Sequence, residues 1–424
     1  MIPVEVALGK VLSNLPPKQM ELLPLLKSLG AVLAEEIRAD LPIPHFDRVL
    51  MDGYAVRAAE AGPGKELIVS GETYAGGSAA TLAPGTAVRV MTGAPLPAGA
   101  DAVIPQEEVE LSPGGDRIKA KAAIAAEDHV ARRGEDVAEG ATLLKPGTIL
   151  RPQEVGVIAS IGRERIKCFR RPATCVTTTG DELVELNVKP KESQIRNSNA
   201  YMVIAQIANM GLPHAYVGIA KDTVESLTQK VKDGLRTDVL IVVGGSGGGA
   251  RDLVHDVLKR EGVDILVRGV GISPGRHFSF GRKGNLLVFV LPGNPVSAFV
   301  CFELFVRPAL AATAGFDQPC RSVVPAKLRA EVERMKERQQ LLPANLTGAP
   351  GRREVERVSW KGAGDLAALS RANCLMLIPP GEGVVAAGSQ VETLKLDADQ
   401  QFVETEGSGV FAGGALGALG AGRP

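Results

Sequence analysis

The chain has 424 residues, 45% of them hydrophobic and 4% aromatic, and its 48 lysines and arginines balance its 48 aspartates and glutamates. That length exceeds one ordinary core and implies roughly two to four domains. Zero net charge and scarce aromatic rings exclude the cationic, base-stacking surface that a nucleic-acid binder needs. The five cysteines, Cys168, Cys175, Cys301, Cys320 and Cys374, form no CxxC pair. A reducing, cytoplasmic setting without structural zinc is therefore expected. The start, MIPVEVALGK, lacks the apolar run of a signal peptide, and the longer apolar runs are broken by Pro, Gly or charge. No membrane span is expected.

In chain order, PVEVALGKVLSNL and LLPLLKSLGAVLAEEIRA space their apolar residues by three and four, which predicts helices up to about residue 40. The proline-bounded DLPIPHFDRVLMDGYAV follows. From Ala55 to Lys145 the pattern turns to short β pieces, ELIVSGE, GTAVRVMTG, DAVIPQEEVEL and DRIKAKAAI, separated by turn signals such as Pro113-Gly114-Gly115. GTILRPQEVGVIASIG reads as a helix. From Ile166 the rhythm is strand, glycine turn, helix, which predicts a mostly parallel sheet covered on both faces, a three-layer α/β domain. After Cys320 the pieces SVVPAKLRAEV, REVERVSW and NCLMLIPPG suit a small β-barrel. The expected division is a helical base domain (1–54 and 146–165), an inserted β domain (55–145), a central α/β domain (166–318), a C-terminal β-barrel (319–400) and a low-complexity mobile tail (401–424).

The chemistry-bearing stretches gather at strand ends. VVGGSGGGARDLVHDVL places Gly244, Gly245 and Ser246 between an apolar strand and a helix. It lacks the Lys-Ser/Thr of a P-loop, and the acid that would hold a dinucleotide ribose stands at the wrong end of the next strand. The open readings are an anion held at a helix N-terminus and a bare glycine turn. Asp252 could cap that helix or help hold a metal. TTTGDELVE sets Asp181 and Glu182 just past a strand, suited either to Mg2+ or to helix capping. LPGNPVSAF makes Asn294 an N-cap with Pro295 at the first helical position. Outside this domain, LMDGYAV carries Asp52 beside a glycine turn. ARRGEDVAEG sets Arg132 and Arg133 beside Glu135 and Asp136, either surface charge pairing or arginines for an anion with carboxylates for a metal.

The segments PHFDRVLMDGYAV, MTGAPLPAGADAVIPQEEV, RRGEDV, TTGDELVE, IRNSNAYMV and VFVLPGNPVSAF occur in this order. Together they resemble the MoeA family, the molybdopterin molybdenumtransferases, and the E domain of gephyrin, over about residues 3–396. The resemblance implies an elongated homodimer with a cleft shared between subunits. Its substrates would be adenylylated molybdopterin and molybdate. With Mg2+ the phosphoanhydride would be cleaved, AMP released and molybdenum left on the dithiolene. On the family pattern Asp52, Asp136, Glu182 and Asp252 fall at catalytic positions, with Asp136 and Glu182 on the metal. Thr92, Ser198, Gly244, Gly245, Ser246, Arg276 and Asn294 would contact the pterin nucleotide or the oxyanion. The chain departs from the pattern at Val243 and Gly247 in the glycine loop, at Ser273 and Arg276 where lysines are usual, and at Ala363 where a serine is usual. A serine brings no charge to an oxyanion site, whereas Arg276 can still grip one bidentately. Arg251, Arg268 and Arg282 are candidates to compensate. A second reading is a paralogue that binds a pterin or nucleotide as carrier or scaffold without turnover.

Overall fold

The computed structural model describes residues 1–245 and 252–396. Ser246, Gly247, Arg251 and the expected tail 401–424 lie outside the described residues. The chain groups into two compact units: Met1–Glu35 with Pro146–Gly156 and Glu164 onward, and Glu36–Lys145 with Val157–Arg163.

The second unit is built on a six-stranded sheet in the order Ala102–Pro105, Gly53–Val56, Thr86–Val90, Glu66–Thr73, Arg117–Ala120, Val109–Leu111. Gly53–Val56 is buried along its whole length. Tyr54, Val56 and Ile104 pack on one face, and Ala55, Val88, Val90 and Val103 on the other. This strand crosses the boundary expected at residue 55. Two short antiparallel pairs complete the unit, Arg48–Val49 with Val130–Ala131 and Ile37–Arg38 with Thr142–Leu144.

In the first unit the helix Val4–Leu12 forms as expected and buries Ala7 and Val11 in the core of the α/β domain. The helix expected over residues 22–39 does not form. Met20–Pro24 is a strand paired antiparallel with Arg165–Phe169, and only a short 3-10 turn, Leu25–Ser28, follows. Two features oppose a helix there. Pro24 has no N–H to donate, and Gly30 turns the chain at φ +73. The helix Pro152–Ser160 stands where expected.

The α/β domain contains β1 (Thr174–Thr179), α1 (Ser198–Ala208), β2 (His214–Ala220), α2 (Val224–Gly234), β3 (Val239–Val243), α3 (Leu253–Arg260), β4 (Asp264–Arg268), β5 (Ser279–Lys283), β6 (Leu286–Leu291) and α4 (Pro295–Cys301). The sheet order is β2-β1-β3-β6-β5-β4. The first four strands are parallel, and β5 and β4 close the edge antiparallel. Central strands that are apolar at every position bury both faces. Val239, Ile241, Leu287 and Phe289 join one core, and Leu240, Val242, Val288 and Val290 the other. The α4 helix continues through a π turn, Phe302–Val306, to Thr313. The helical run Pro295–Thr313 is long and apolar enough to cross a membrane, yet 83% of its apolar window is buried inside the protein.

The barrel closes from Val323–Leu328, Gln339–Thr347, Glu354–Arg357, Cys374–Ile378 and Gln390–Lys395, with Gln339–Thr347 paired to Cys374–Ile378. Alternate residues such as Leu342, Ala344, Cys374, Met376 and Ile378 fill it. A two-residue strand of the α/β domain, Ile272–Ser273, adds to it in parallel at Gln339 and Gln340.

Candidate functional site

The switch point of the α/β sheet lies between β1 and β3. The chain leaves β1 toward β2 on one side and leaves β3 toward the other strands on the opposite side. Ligands of open α/β sheets lodge outside the carboxyl ends of such strands. Here that edge carries Gly180-Asp181-Glu182 after β1, Gly244-Gly245 after β3 and Pro292-Gly293-Asn294 after β6.

The three strand ends are tied together. The Gly244 N–H donates to the Leu291 carbonyl at 2.9 Å. The Asn199 amide donates to the Gly293 carbonyl at 2.6 Å. A Cβ on Gly244, at φ +103, would lie 2.4 Å from the Thr179 carbonyl oxygen. One on Gly245 would lie 2.4 Å from a methyl of Val254. These two glycines are therefore required by close backbone packing, independently of any ligand.

Glu182 is exposed and folds back over Gly180, whose added Cβ would stand 2.7 Å from both carboxylate oxygens. Its main chain is fixed by the Ile195 N–H, which donates to the Glu182 carbonyl at 2.8 Å. Its carboxylate has no hydrogen-bond partner among the described residues, so both oxygens are free for a cation. Asp181 differs, since its Oδ1 accepts from the Asp222 N–H at 3.2 Å.

Ser198 is the first residue of α1, capped by Asn197. Sequence reasoning missed Asn197, although an Asn just before a helical pattern is a capping signal. Its Oδ1 accepts from the Ala200 N–H at 3.3 Å, while its amide donates to Thr178 Oγ1 at 2.8 Å and to the Tyr216 hydroxyl at 2.7 Å. Tyr216 and Tyr201 in turn donate to Glu185 at 2.9 and 3.2 Å. Burial first, and Glu185 second, push the Tyr216 phenol well above its ordinary value. Asn294 occupies the cap position before Pro295 but makes no side-chain cap bond, so its amide is exposed at the edge.

Asp252 caps α3 rather than lying within its first turn. Its Oδ1 is 2.6 Å from His255 Nδ1, and its Oδ2 accepts from Arg268 at 2.6 Å. Burial pushes the pKa of its carboxyl up, but the bonds from His255 and the positive charge of Arg268 outweigh that and hold it below its ordinary value. Arg276 is exposed, and its Nε donates to His277 Nε2 at 2.8 Å. Ser273 is bound into the barrel edge beside Gln340.

In the other unit, Asp52 and Thr92 are partners. Asp52 Oδ1 accepts from the Thr92 N–H at 2.8 Å and from its hydroxyl at 2.7 Å, and these two bonds hold the carboxyl below its ordinary value. The Arg132 guanidinium is bound by Glu127 and Asp47 rather than by the neighbouring Glu135 or Asp136, and it is not free for an anion. Asp136 is exposed and fixed through its backbone N–H, which donates to the Ile43 carbonyl at 3.0 Å. Its carboxylate has no partner among the described residues. Among those residues no group of three or more His, Cys, Asp or Glu is preassembled for a metal. Mg2+ needs no such cage, since it usually keeps several waters and takes one or two carboxylates plus substrate phosphate. The free, exposed carboxylate of Glu182, and separately that of Asp136 in the other unit, is the kind of ligand that demand calls for.

Residues 2–162 match the MoeA N-terminal region (domain I and II), 175–312 a probable molybdopterin binding domain, and 325–396 the MoeA C-terminal region (domain IV). The molybdopterin molybdenumtransferase of Haemophilus influenzae is 32% identical over 399 residues, covering 92% of this chain and 98% of the relative. Molybdopterin molybdenumtransferase 1 of Mycobacterium tuberculosis is 33% identical over 402 residues, covering 86% and 91%. The crystal structure of a molybdopterin biosynthesis MoeA protein from Pyrococcus horikosii superposes with a TM-score of 0.79 at 30% identity, covering 94% of this chain and 99% of that one. By sequence and by fold over nearly its whole length, the chain belongs to the MoeA family of molybdopterin molybdenumtransferases.

Proposed function

We propose that the chain takes adenylylated molybdopterin and molybdate, releases AMP and leaves molybdenum on the dithiolene, with Mg2+ as the assisting ion. The observation that carries this reading is the switch-point edge. There a free carboxylate on Glu182, the Gly245 amide and the exposed Asn294 side chain before α4 face the position where α/β sheets hold ligands. Both substrates are anions, so catalysis rests on positioning and charge neutralisation more than on covalent chemistry.

Glu182 would hold the metal, and the family resemblance gives Asp136 the same role. The ion would neutralise charge on the phosphoanhydride oxygens. Gly245 and the N-terminus of α1 at Ser198 would offer backbone donors to the nucleotide, while Gly244, whose own N–H is given to Leu291, would let it approach the backbone closely. Asn294 and Arg276 would offer side-chain donors to it or to the oxyanion. Asp52, with Thr92 fixing one oxygen, keeps the other available to orient a ligand group. Asp252 would act in the same way from the start of α3. The family resemblance adds a second copy of the chain, and sedimentation of the purified protein as a dimer tests that part.

The decisive assay mixes purified protein with adenylylated molybdopterin, Mg2+ and molybdate, and measures AMP and active cofactor. AMP release that disappears with a chelator is the expected result. Tight binding without AMP release, unaffected by the chelator, would identify a carrier instead.

A further inference from the structure

Asp252, His255 and Ser279 form a hydrogen-bonded chain in the α/β domain. Asp252 Oδ1 meets His255 Nδ1 at 2.6 Å, and His255 Nε2 meets Ser279 Oγ at 2.8 Å. The residue types and their order are those of a serine-hydrolase triad. The exposures reverse its sense. Ser279 is 1% exposed and His255 7%, so no substrate reaches the serine. The Asp252 side chain is 19% exposed, and the carboxylate is the end of the chain that faces outward.

The two oxygens of that carboxylate are held differently. Oδ1 is bound by a buried imidazole. Oδ2 is bound by Arg268, whose side chain is 64% exposed. Helix capping does not explain the arrangement, because the capping bond from the His255 N–H to Asp252 is long, at 3.4 Å. An ionised carboxylate can only accept, so a neutral His255 bonded to Asp252 carries its proton on Nδ1, and its Nε2 is left to accept from the Ser279 hydroxyl.

We propose that His255 is a positioning residue for the transferase site: it anchors Oδ1 of Asp252, with Ser279 donating to its Nε2 and supporting the Nδ1–H form, so that Oδ2 alone is presented to the ligand. The inference rests on the reading that Asp252 belongs to that site. Arg268 covers Oδ2 until an anionic substrate draws the guanidinium away. The two charges then act in succession, the cation on the substrate anion and the freed oxygen on a ligand hydroxyl, water or metal.

Two measurements test this. The first needs no turnover. In 15N-histidine-labelled protein, which has five histidines, the His255 resonance is assigned by its loss in His255→Asn. It should report a neutral ring protonated at Nδ1, and Ser279→Ala should weaken that preference. A ring protonated at Nε2 in the parent protein overturns the proposal. The second is kinetic. His255→Leu fills the space without a donor and should lower kcat about 10- to 100-fold, as loss of orienting partners commonly does, with KM little changed. His255→Asn keeps a donor near the Nδ1 position and should recover most of that loss. Parent-like kcat in His255→Leu, or equal loss in both variants, overturns the positioning role. If the parent protein releases no AMP, the functional reading fails, and the tautomer measurement still decides the geometry of the chain.

Discussion

Gly244→Ala isolates the packing argument at the end of β3. The added methyl would sit 2.4 Å from the Thr179 carbonyl oxygen, on a residue at φ +103. A backbone oxygen inside a central parallel strand cannot move aside as a flexible side chain would. A side chain held at positive φ costs about 1–2 kcal/mol, and forced overpacking adds about 1–3 kcal/mol. The expected loss is therefore about 2–5 kcal/mol, the sum of these two terms. Gly284→Ala is the matched control. That residue lies in the turn between β5 and β6 at φ +58, with nothing within 4 Å of its Cβ position, so only the conformational cost of about 1–2 kcal/mol applies. Urea unfolding of both variants without ligand, followed by one probe, gives the comparison. If Gly244→Ala is no less stable than Gly284→Ala, the close approach of the strand ends is wrong.

Glu182→Gln should abolish Mg2+-dependent AMP release while leaving the urea midpoint unchanged, because the side chain is exposed and has no partner among the described residues; a parent-like rate removes Glu182 from the metal site. Glu303 is buried and accepts from Gln206 at 2.7 Å and from Arg321, so Glu303→Leu should cost about 3–5 kcal/mol in unfolding, as breaking buried pairs does. A loss below about 1 kcal/mol would mean the pair is hydrated like a surface one. Ser273→Lys should tighten molybdate binding in calorimetry, and unchanged affinity would place Ser273 away from the oxyanion. The lowered pKa of Asp252 makes its stabilisation complete above the ordinary carboxylate value of about 3.9. That stabilisation is lost as pH falls through the lower folded value. Asp252→Asn should therefore flatten the acid limb of the stability curve, and an unchanged limb would show that its bonds do not persist in solution.

Local pattern made some of this fold legible and left other parts hidden. VLIVV and LLVFVL read as strands buried on both faces, and they pair as neighbours in the sheet. SFGRK escaped notice because Phe280 is its only large apolar residue, and its strand character comes from pairing with β4 and β6 on either side. LLPLLKSLG was misread because its apolar residues satisfy helical spacing, while the strand that captures Met20–Pro24 arrives from residues 165–169. Site residues follow the same division. The Asp252 to His255 spacing was present in the sequence, but Arg268 and Ser279 reach them only through β4 and β5. The bond between Asp52 and Thr92 joins residues 40 apart, which no local signal announces. The family resemblance marked both positions without revealing that one holds the other.

The parallel pairing of Ile272–Ser273 with Gln339–Gln340 has a practical consequence for dissecting the protein. A fragment beginning at residue 319 would keep all five barrel strands but lose this lent segment. The main-chain donors and acceptors at Gln339 and Gln340 on that side would then face water as a sticky seam. Such a fragment should self-associate, and adding residues 270–276 back as a synthetic peptide should restore it to a monomer.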